Sequence, residues 1–384
     1  MTLRRSLPGF ALLALSALNA LALDKVEVFQ SGQDGYHTYR IPAIIQTNGG
    51  TMLAFCEGRK SSNSDIGDID LLVKRSKDGG RTWSRPQVIW SDAANTCGNP
   101  CPVVDRRTGQ ILLLATHNLE KDHLDEIMTK KSPGTRTVWV LSSADDGETW
   151  SPPREITRAV KDPSWGWYAT GPGIGIQIRH GPHAGRLVVP ANHSYDDPQG
   201  GLRGKPYESG AHVFYSDDGG RSWKLGGTIR PKMNEAQVAE LPDGRGTLLM
   251  NMRSLFRRGV RGEATSTDGG LTWSAPRDVP ALVEPNCQGS LLTHEAAGGR
   301  GVVLFSNPAD HRPKQRRNMT VRLSEDNART WPRALTLHPG LSAYSCLVSI
   351  DAGSAGCLYE NGENDRYERL TFARFTLEEI KPLP

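Results

Sequence analysis

Groups able to hold an anion or move a proton are spread along this chain of 384 residues. Arg40 opens an apolar run in Tyr39-Arg40-Ile41-Pro42, Arg253 stands in Asn251-Met252-Arg253-Ser254, and Arg316 and Arg317 are adjacent. A guanidinium stays charged and donates in a planar fork, so arginines suit a carboxylate ligand. Side chains alternate along a strand, so only one of Arg316 and Arg317 points to a given face. Segment 57–70 carries Glu57, Arg59, Asp65, Asp68 and Asp70, any of whose carboxylates is chemically able to act as a general acid. Glu235 and Glu240 stand an odd number of residues apart and face opposite ways in an extended strand. Tyr344 lies in Ser342-Ala343-Tyr344-Ser345. A phenol titrates near about 10, so it becomes a nucleophile only with a base beside it. No spacing suggests a metal: there is no paired CxxC and no HExxH.

A repeat organises the elements that must position these groups. Ser76-Lys77-Asp78-Gly79-Gly80-Arg81-Thr82-Trp83 returns, as S-x-D-x-G-x-x-W, starting at Ser143, Ser216 and Ser266. A fifth copy, starting at Ser324, has Ala328 in place of the glycine. Successive copies lie 50 to 73 residues apart, the size of a four-stranded propeller blade with its loops. The motif reads as a hairpin turn: Asp bonds its own backbone, Gly takes a positive φ, and Trp anchors the following strand. Frequent glycine (41) and proline (25) fit a turn-rich all-β chain. The expected fold is a six-bladed β-propeller of four-stranded antiparallel blades, with one blade lacking the motif and residues 23–384 forming a single domain.

Residues 1–22 read as a signal peptide: Arg4 and Arg5, an apolar stretch from Phe10 to Leu21, then Ala20-Leu21-Ala22. The stretch is too short for a bilayer and no later run is longer, so no membrane span is expected and the mature chain should be exported, secreted or periplasmic. Six cysteines in an exported chain permit disulfides, Cys97 with Cys101 among them, and buried thiols equally. A net charge of +4, with its one dense basic run at 314–317, is too little for nucleic acid and suits approach to an anionic substrate.

With Arg-Ile-Pro at 40–42 ahead of the repeated Asp boxes, the chain resembles the exo-α-sialidases over nearly its whole mature length. The resemblance implies hydrolysis of terminal sialic acid from sialylated glycans, without a metal or organic cofactor. It implies that Arg40, Arg253 and Arg316 hold the substrate carboxylate, with Arg317 as the alternative to Arg316. It implies Tyr344 as nucleophile, Glu235 as its base, and Asp65 as general acid, with Asp68 as the alternative. A tyrosine is the recognised exception to the usual pair of catalytic carboxylates, and a neutral phenol is not repelled by the substrate's own carboxylate. Arg59 is expected to steady Asp65 or the sugar ring, Asn99 to meet the N-acetyl region, and Trp167 to line one wall. Trp165 serves either as wall or as core. Asn192, His193 and Tyr195, in a loop-like stretch, could touch the aglycone, with a plain loop histidine as the alternative for His193. A non-catalytic sialoglycan-binding propeller would lack one of Tyr344, Glu235 or Asp65; a trans-sialidase would share all three.

Overall fold

The computed structural model describes residues 23–383, so the expected leader at 1–22 lies outside the described residues. The fold is all-β: its helices are single short turns, and its strands form four open, almost wholly antiparallel sheets. Within these sheets the pairing resolves into units of four strands joined by hairpins. The first comprises Thr38–Gln46, Met52–Arg59, Ile69–Ser76 and Gln87–Trp90. A second begins at Thr96–Val104 and a fourth at Met233–Glu240. The third opens on two short pieces, Tyr168–Thr170 and Ile176–Gln177, both paired with Leu187–Asp196. The long strand Arg333–Asp351 serves twice, closing the fifth unit against Arg317–Ser324 and opening the sixth against Ser354–Gly362. The outer strand of that sixth unit is the N-terminal strand Asp24–Gln30, paired with Arg369–Thr376.

The strands are apolar on both faces because each unit is covered on both sides. Along Met52–Arg59, Leu53 and Phe55 pack with Leu113 and Leu141 of the next unit. Met52, Ala54 and Cys56, on the other face, pack with Cys346, Leu358 and Phe372 of the sixth unit. Equivalent clusters lie between each other pair of consecutive units, for example Leu114 with Val189 and Phe214, and Leu249 with Val303 and Phe305. The period of two thus sends alternate residues of each strand into two different hydrophobic layers.

Each Asp box is the turn between the third and fourth strands of a unit. In the first, Ser76 Oγ donates to Asp78 Oδ1 (2.7 Å) and accepts from Gly80 N (2.8 Å), while Thr82 donates through N and Oγ1 to Asp78. Gly80 has φ +88 and lies flat against the Phe372 ring, 2.2 Å from where a Cβ would stand. The fifth copy repeats the bonds with Ala328 at φ 60. The sixth unit has no box because its fourth strand is the N-terminal one, so no such turn exists.

All six cysteines are free and buried, which removes the disulfide option. Cys97 and Cys101 share one strand, but a bulge between Gly98 and Cys101 sends them into different hydrophobic layers. The stretch read as a loop around 192–195 is strand, and Asn192 and His193 are buried within it.

Candidate active site

Four of the residues singled out for chemistry stand at irregularities in the leading strands of the units. Register shifts occur between Arg40 and Ala43, Gly98 and Cys101, Met233 and Ala236, and Ser342 and Ser345. Ile41 and Asn99 have φ 57 and 53 within them. A bulge re-aims a side chain that a regular strand would bury in its layer. Arg40, Asn99, Glu235 and Tyr344 all lie at or inside such shifts.

Tyr344 and Glu235, 109 residues apart, are in direct contact: the phenol donates to Glu235 Oε1. Glu235 Oε2 accepts from Arg253 Nη1 at 2.7 Å. Burial, with the Glu235 charge, pushes the Tyr344 phenol well above its ordinary pKa, while Arg253, Arg316 and Arg40 pull it back. The resting phenol is therefore neutral and already hydrogen-bonded to a carboxylate. Glu240, by contrast, turns to the opposite side and accepts from the backbone N–H groups of Arg179 (2.6 Å) and His180 (2.9 Å). There it lines a cavity of about 730 Å³ that contains none of the groups named for chemistry.

Three arginines converge on Tyr344. The guanidinium carbons of Arg40 and Arg316 lie 5.0 and 5.6 Å from its ring centre. Arg253 reaches it through Glu235. Burial disfavours charge on each, but neighbouring acidic groups outweigh it and raise all three pKa values: the Glu360 carboxylate first for Arg40, the Glu235 carboxylate for Arg253, and the ionisable Cys287 thiol and Tyr344 phenol for Arg316. Arg316 is drawn inward, whereas Arg317 is exposed on the next strand position.

Asp65 stands on the far side of Arg40, 2.9 Å from Arg59 Nη1 and 3.5 Å from Arg40 Nη1. Its side chain keeps 61% of its surface in contact with solvent although protein crowds it from below. That crowding opposes ionisation, yet the guanidinium groups of Arg59 and Arg40 hold the carboxyl below its usual range. Asp68 and Asp70 belong elsewhere, paired with Lys60 at 2.8 and 3.2 Å, and Asp70 also accepts from the Tyr36 hydroxyl. Only Asp65 joins the arginine cluster.

Several members were not legible from the sequence. Glu360 is fully buried, accepts from Arg40 Nε (3.0 Å) and Nη2 (3.3 Å), and also from the backbone N–H of Ile41 and Tyr344. One carboxylate thus fixes a clamp arginine and both bulges. Asn286 ties two others together, accepting from Arg253 Nε through Oδ1 and from Arg316 Nη2 through its carbonyl. Tyr367 places its ring 4.0 Å under Arg40 and its hydroxyl 3.3 Å from Arg316 Nη1. Glu57 holds Arg59 and the backbone N–H of Asn99.

Asn99 does not present a free carboxamide oxygen: its Oδ1 accepts from buried Arg136 (2.6 Å) and from Thr116 (3.2 Å). Arg136, which sequence reasoning missed, lies over the Trp167 ring at 4.2 Å, and burial lowers its pKa to about 10. Trp167 is half-buried, as a wall residue should be. Trp165 is core, stacked on His193 at 3.6 Å. His193, held by Arg230 and His212, is a packed histidine unable to approach a ligand.

A cluster of three arginines, a phenol–carboxylate pair and one partly exposed carboxylate is equipped to bind an anionic substrate and pass it through covalent acid–base chemistry. The model of a BNR repeat-like domain matches residues 50–357. A sialidase of Micromonospora viridifaciens is 34% identical over 89% of this chain and 53% of its own length. One of Bacteroides fragilis is 33% identical over 92% and 65%. The chain thus spans between half and two thirds of those two relatives. Sialidase-2 of Mus musculus is 32% identical over 94% of the chain and 97% of its own length. Among solved structures, a Hadza microbial sialidase superposes with a TM-score of 0.81 at 34% identity, covering 93% of this chain and 69% of that one.

Proposed function

The chain belongs to the sialidase family of BNR-repeat proteins, and from that premise we propose that it is an exported, retaining exo-α-sialidase acting on terminal sialic acid of sialylated glycans. The six units are read as the blades of one propeller domain. The ring of hydrophobic layers, each shared by consecutive units and the last returning to the first, supports that reading.

The observation that carries the mechanism is the Tyr344–Glu235 contact inside three arginines. Sialic acid bears a carboxylate on its anomeric carbon. Arg40, Arg253 and Arg316 bind it in forked, charge-assisted bonds, which fixes that carbon above the Tyr344 oxygen. Tyr344 attacks while Glu235 takes its proton, and Asp65, protonated, gives its proton to the departing glycosidic oxygen. The flattened oxocarbenium-like transition state collapses to a sugar linked through the Tyr344 oxygen. Asp65, now a carboxylate, takes a proton from water as the water attacks the same carbon. Glu235 returns its proton to the phenolate, and two inversions leave the configuration retained. A carboxylate nucleophile would meet the substrate carboxylate across a few ångströms; a neutral phenol does not, and this is the physical case for tyrosine here.

Proton NMR of a sialoside digest tests the reading. The α anomer of free sialic acid should appear first and the β anomer only later, by mutarotation. First appearance of the β anomer, or no release at all, overturns it.

A further inference from the structure

We propose that the basic rim beside the carboxylate clamp is a second anion subsite, built for an aglycone sugar that carries its own carboxylate, as when sialic acid is linked to sialic acid. The inference rests on the sialidase reading above. Of the run Lys314-Gln315-Arg316-Arg317, only Arg316 enters the clamp. Lys314 is exposed, and among the described residues its side chain has no hydrogen bond or ion pair. Its backbone is nevertheless fixed to the clamp's own supports. Lys314 N donates to Pro285 O (2.9 Å), and Lys314 O accepts from Arg366 Nη1 (3.4 Å). Pro285 precedes Asn286, which joins Arg253 to Arg316, and Arg366 precedes Tyr367, which touches Arg40 and Arg316.

Arg257 adds a second cation. It too is exposed without a side-chain partner, in the turn between Leu248–Ser254 and Val260–Ser266. That turn abuts the Lys314 loop: a Cβ on Gly259 would stand 3.1 Å from the carbonyl oxygen of His311. The acids nearby are already engaged. Asp310 is paired with Arg312 (2.6 Å), Asp278 with Arg258 (2.7 Å), and Asp365 accepts from Tyr367 N (3.1 Å). Among the described residues, neither Lys314 nor Arg257 has a carboxylate within ion-pair distance. Phe256, also exposed, has the Arg258 guanidinium 4.7 Å from its ring centre and offers an apolar face for sugar C–H groups.

The chemistry of the substrate decides what meets this rim. The carboxylate and the glycosidic oxygen share one carbon, so the first aglycone sugar starts two bonds from the clamped carboxylate and must leave the site beside the clamp. A second carboxylate on that sugar is the group that Lys314 and Arg257 would take; a neutral sugar offers them nothing.

The test compares the wild type with Lys314→Glu and Arg257→Ala on three free substrates: an aryl sialoside, sialyllactose and an α2,8-linked disialyl oligosaccharide. Lys314→Glu should lower kcat/KM on the disialyl substrate about tenfold while changing sialyllactose less than about twofold. The difference should fade in about 0.5 M salt, because both cations are exposed. Equal loss on both glycans, or none on the disialyl one, overturns the proposal. A loss seen only with sialosides on anionic vesicles assigns the rim to a lipid surface and also overturns it. Failure of the wild type on all three substrates would instead sink the sialidase reading itself.

Discussion

Asp65→Asn separates the acid from every other group in the site. The asparagine keeps the size and loses both the proton and the charge. Its ion pairs with Arg59 and Arg40 are half in water, so together they contribute at most about 1 kcal/mol of stability. The effect on rate should be far larger and should depend on the leaving group. A general acid supplies about 10²- to 10⁴-fold when the leaving oxygen is basic, as in a sugar, and little when it is a nitrophenolate. The pH profile carries a second signature. In the free enzyme, Arg59 and Arg40 hold the carboxyl low, so little of it is protonated at neutral pH. Arg40 Nη1 is 3.5 Å from Asp65 Oδ1, so a substrate carboxylate hydrogen-bonded to Arg40 would stand about 6 Å from Asp65. It disfavours the Asp65 anion by about 0.7 kcal/mol in water-like surroundings and about 3 kcal/mol at an effective dielectric of about 20, and the exposure of Asp65 favours the smaller figure. Substrate binding therefore raises the pKa of the acid. The alkaline limb of kcat, which reports the complex, should lie at higher pH than that of kcat/KM, which reports the free enzyme. Steady-state rates with sialyllactose and with a nitrophenyl sialoside measure both. Equal losses on the two substrates, or coincident limbs in the wild type, would refute the assignment of Asp65.

Other perturbations read other parts of the site. Arg316→Ala should cost about 10²-fold in kcat/KM, chiefly through KM, whereas exposed Arg317→Ala should stay within about twofold; Michaelis kinetics on one substrate decides it. Arg136→Met strands the buried oxygens of Asn99, Asn118 and Thr116 and should lower unfolding stability in urea by about 2–4 kcal/mol. The Asp boxes predict the acid limit of the fold. Bonds from Thr149 hold Asp145 at about 2, and at Asp268 the bonds from Thr272 and Ser266 outweigh burial to the same effect. Folded values below the unfolded value of about 3.9 mean that this stability is complete above about pH 4 and is lost as pH falls through about 2. Melting temperature should drop steeply over that interval, and less so in Asp268→Asn.

The sequence made the all-β class and the candidate groups of the site legible, and for different reasons. Ser, Asp, Gly and Trp recur because a single turn must make the same short-range bonds each time, and local chemistry of that kind survives in a linear pattern. Odd spacing put Glu235 and Glu240 on opposite sides, as their partners show, and the alternation argument for Arg316 against Arg317 agrees with their exposures. What escaped depends on long-range placement. Glu360 meets Arg40 across 320 residues, because the C-terminal units close against the first, and nothing around Tyr359-Glu360-Asn361 announces it. Arg136 carried a weak signal, a charge at the head of the apolar run Val138-Trp139-Val140-Leu141, which asks for buried partners. The φ of Asn99 and its bond to Arg136 follow from a bulge, and bulges leave no mark in composition. The cysteines followed the same lesson: six of them permit disulfides, but the strands leave all six as buried free thiols.

The central claim is a tyrosine nucleophile paired with Glu235. Sialic acid release from a fluorogenic α-sialoside by wild type and Tyr344→Phe, with mass spectrometry of rapidly quenched wild-type enzyme, tests it most directly. The account predicts release by the wild type, loss of at least about 10³-fold in the phenylalanine variant, and a sialosyl adduct on the peptide that contains Tyr344. Near-normal release by Tyr344→Phe, or an adduct on a carboxylate instead, would contradict it.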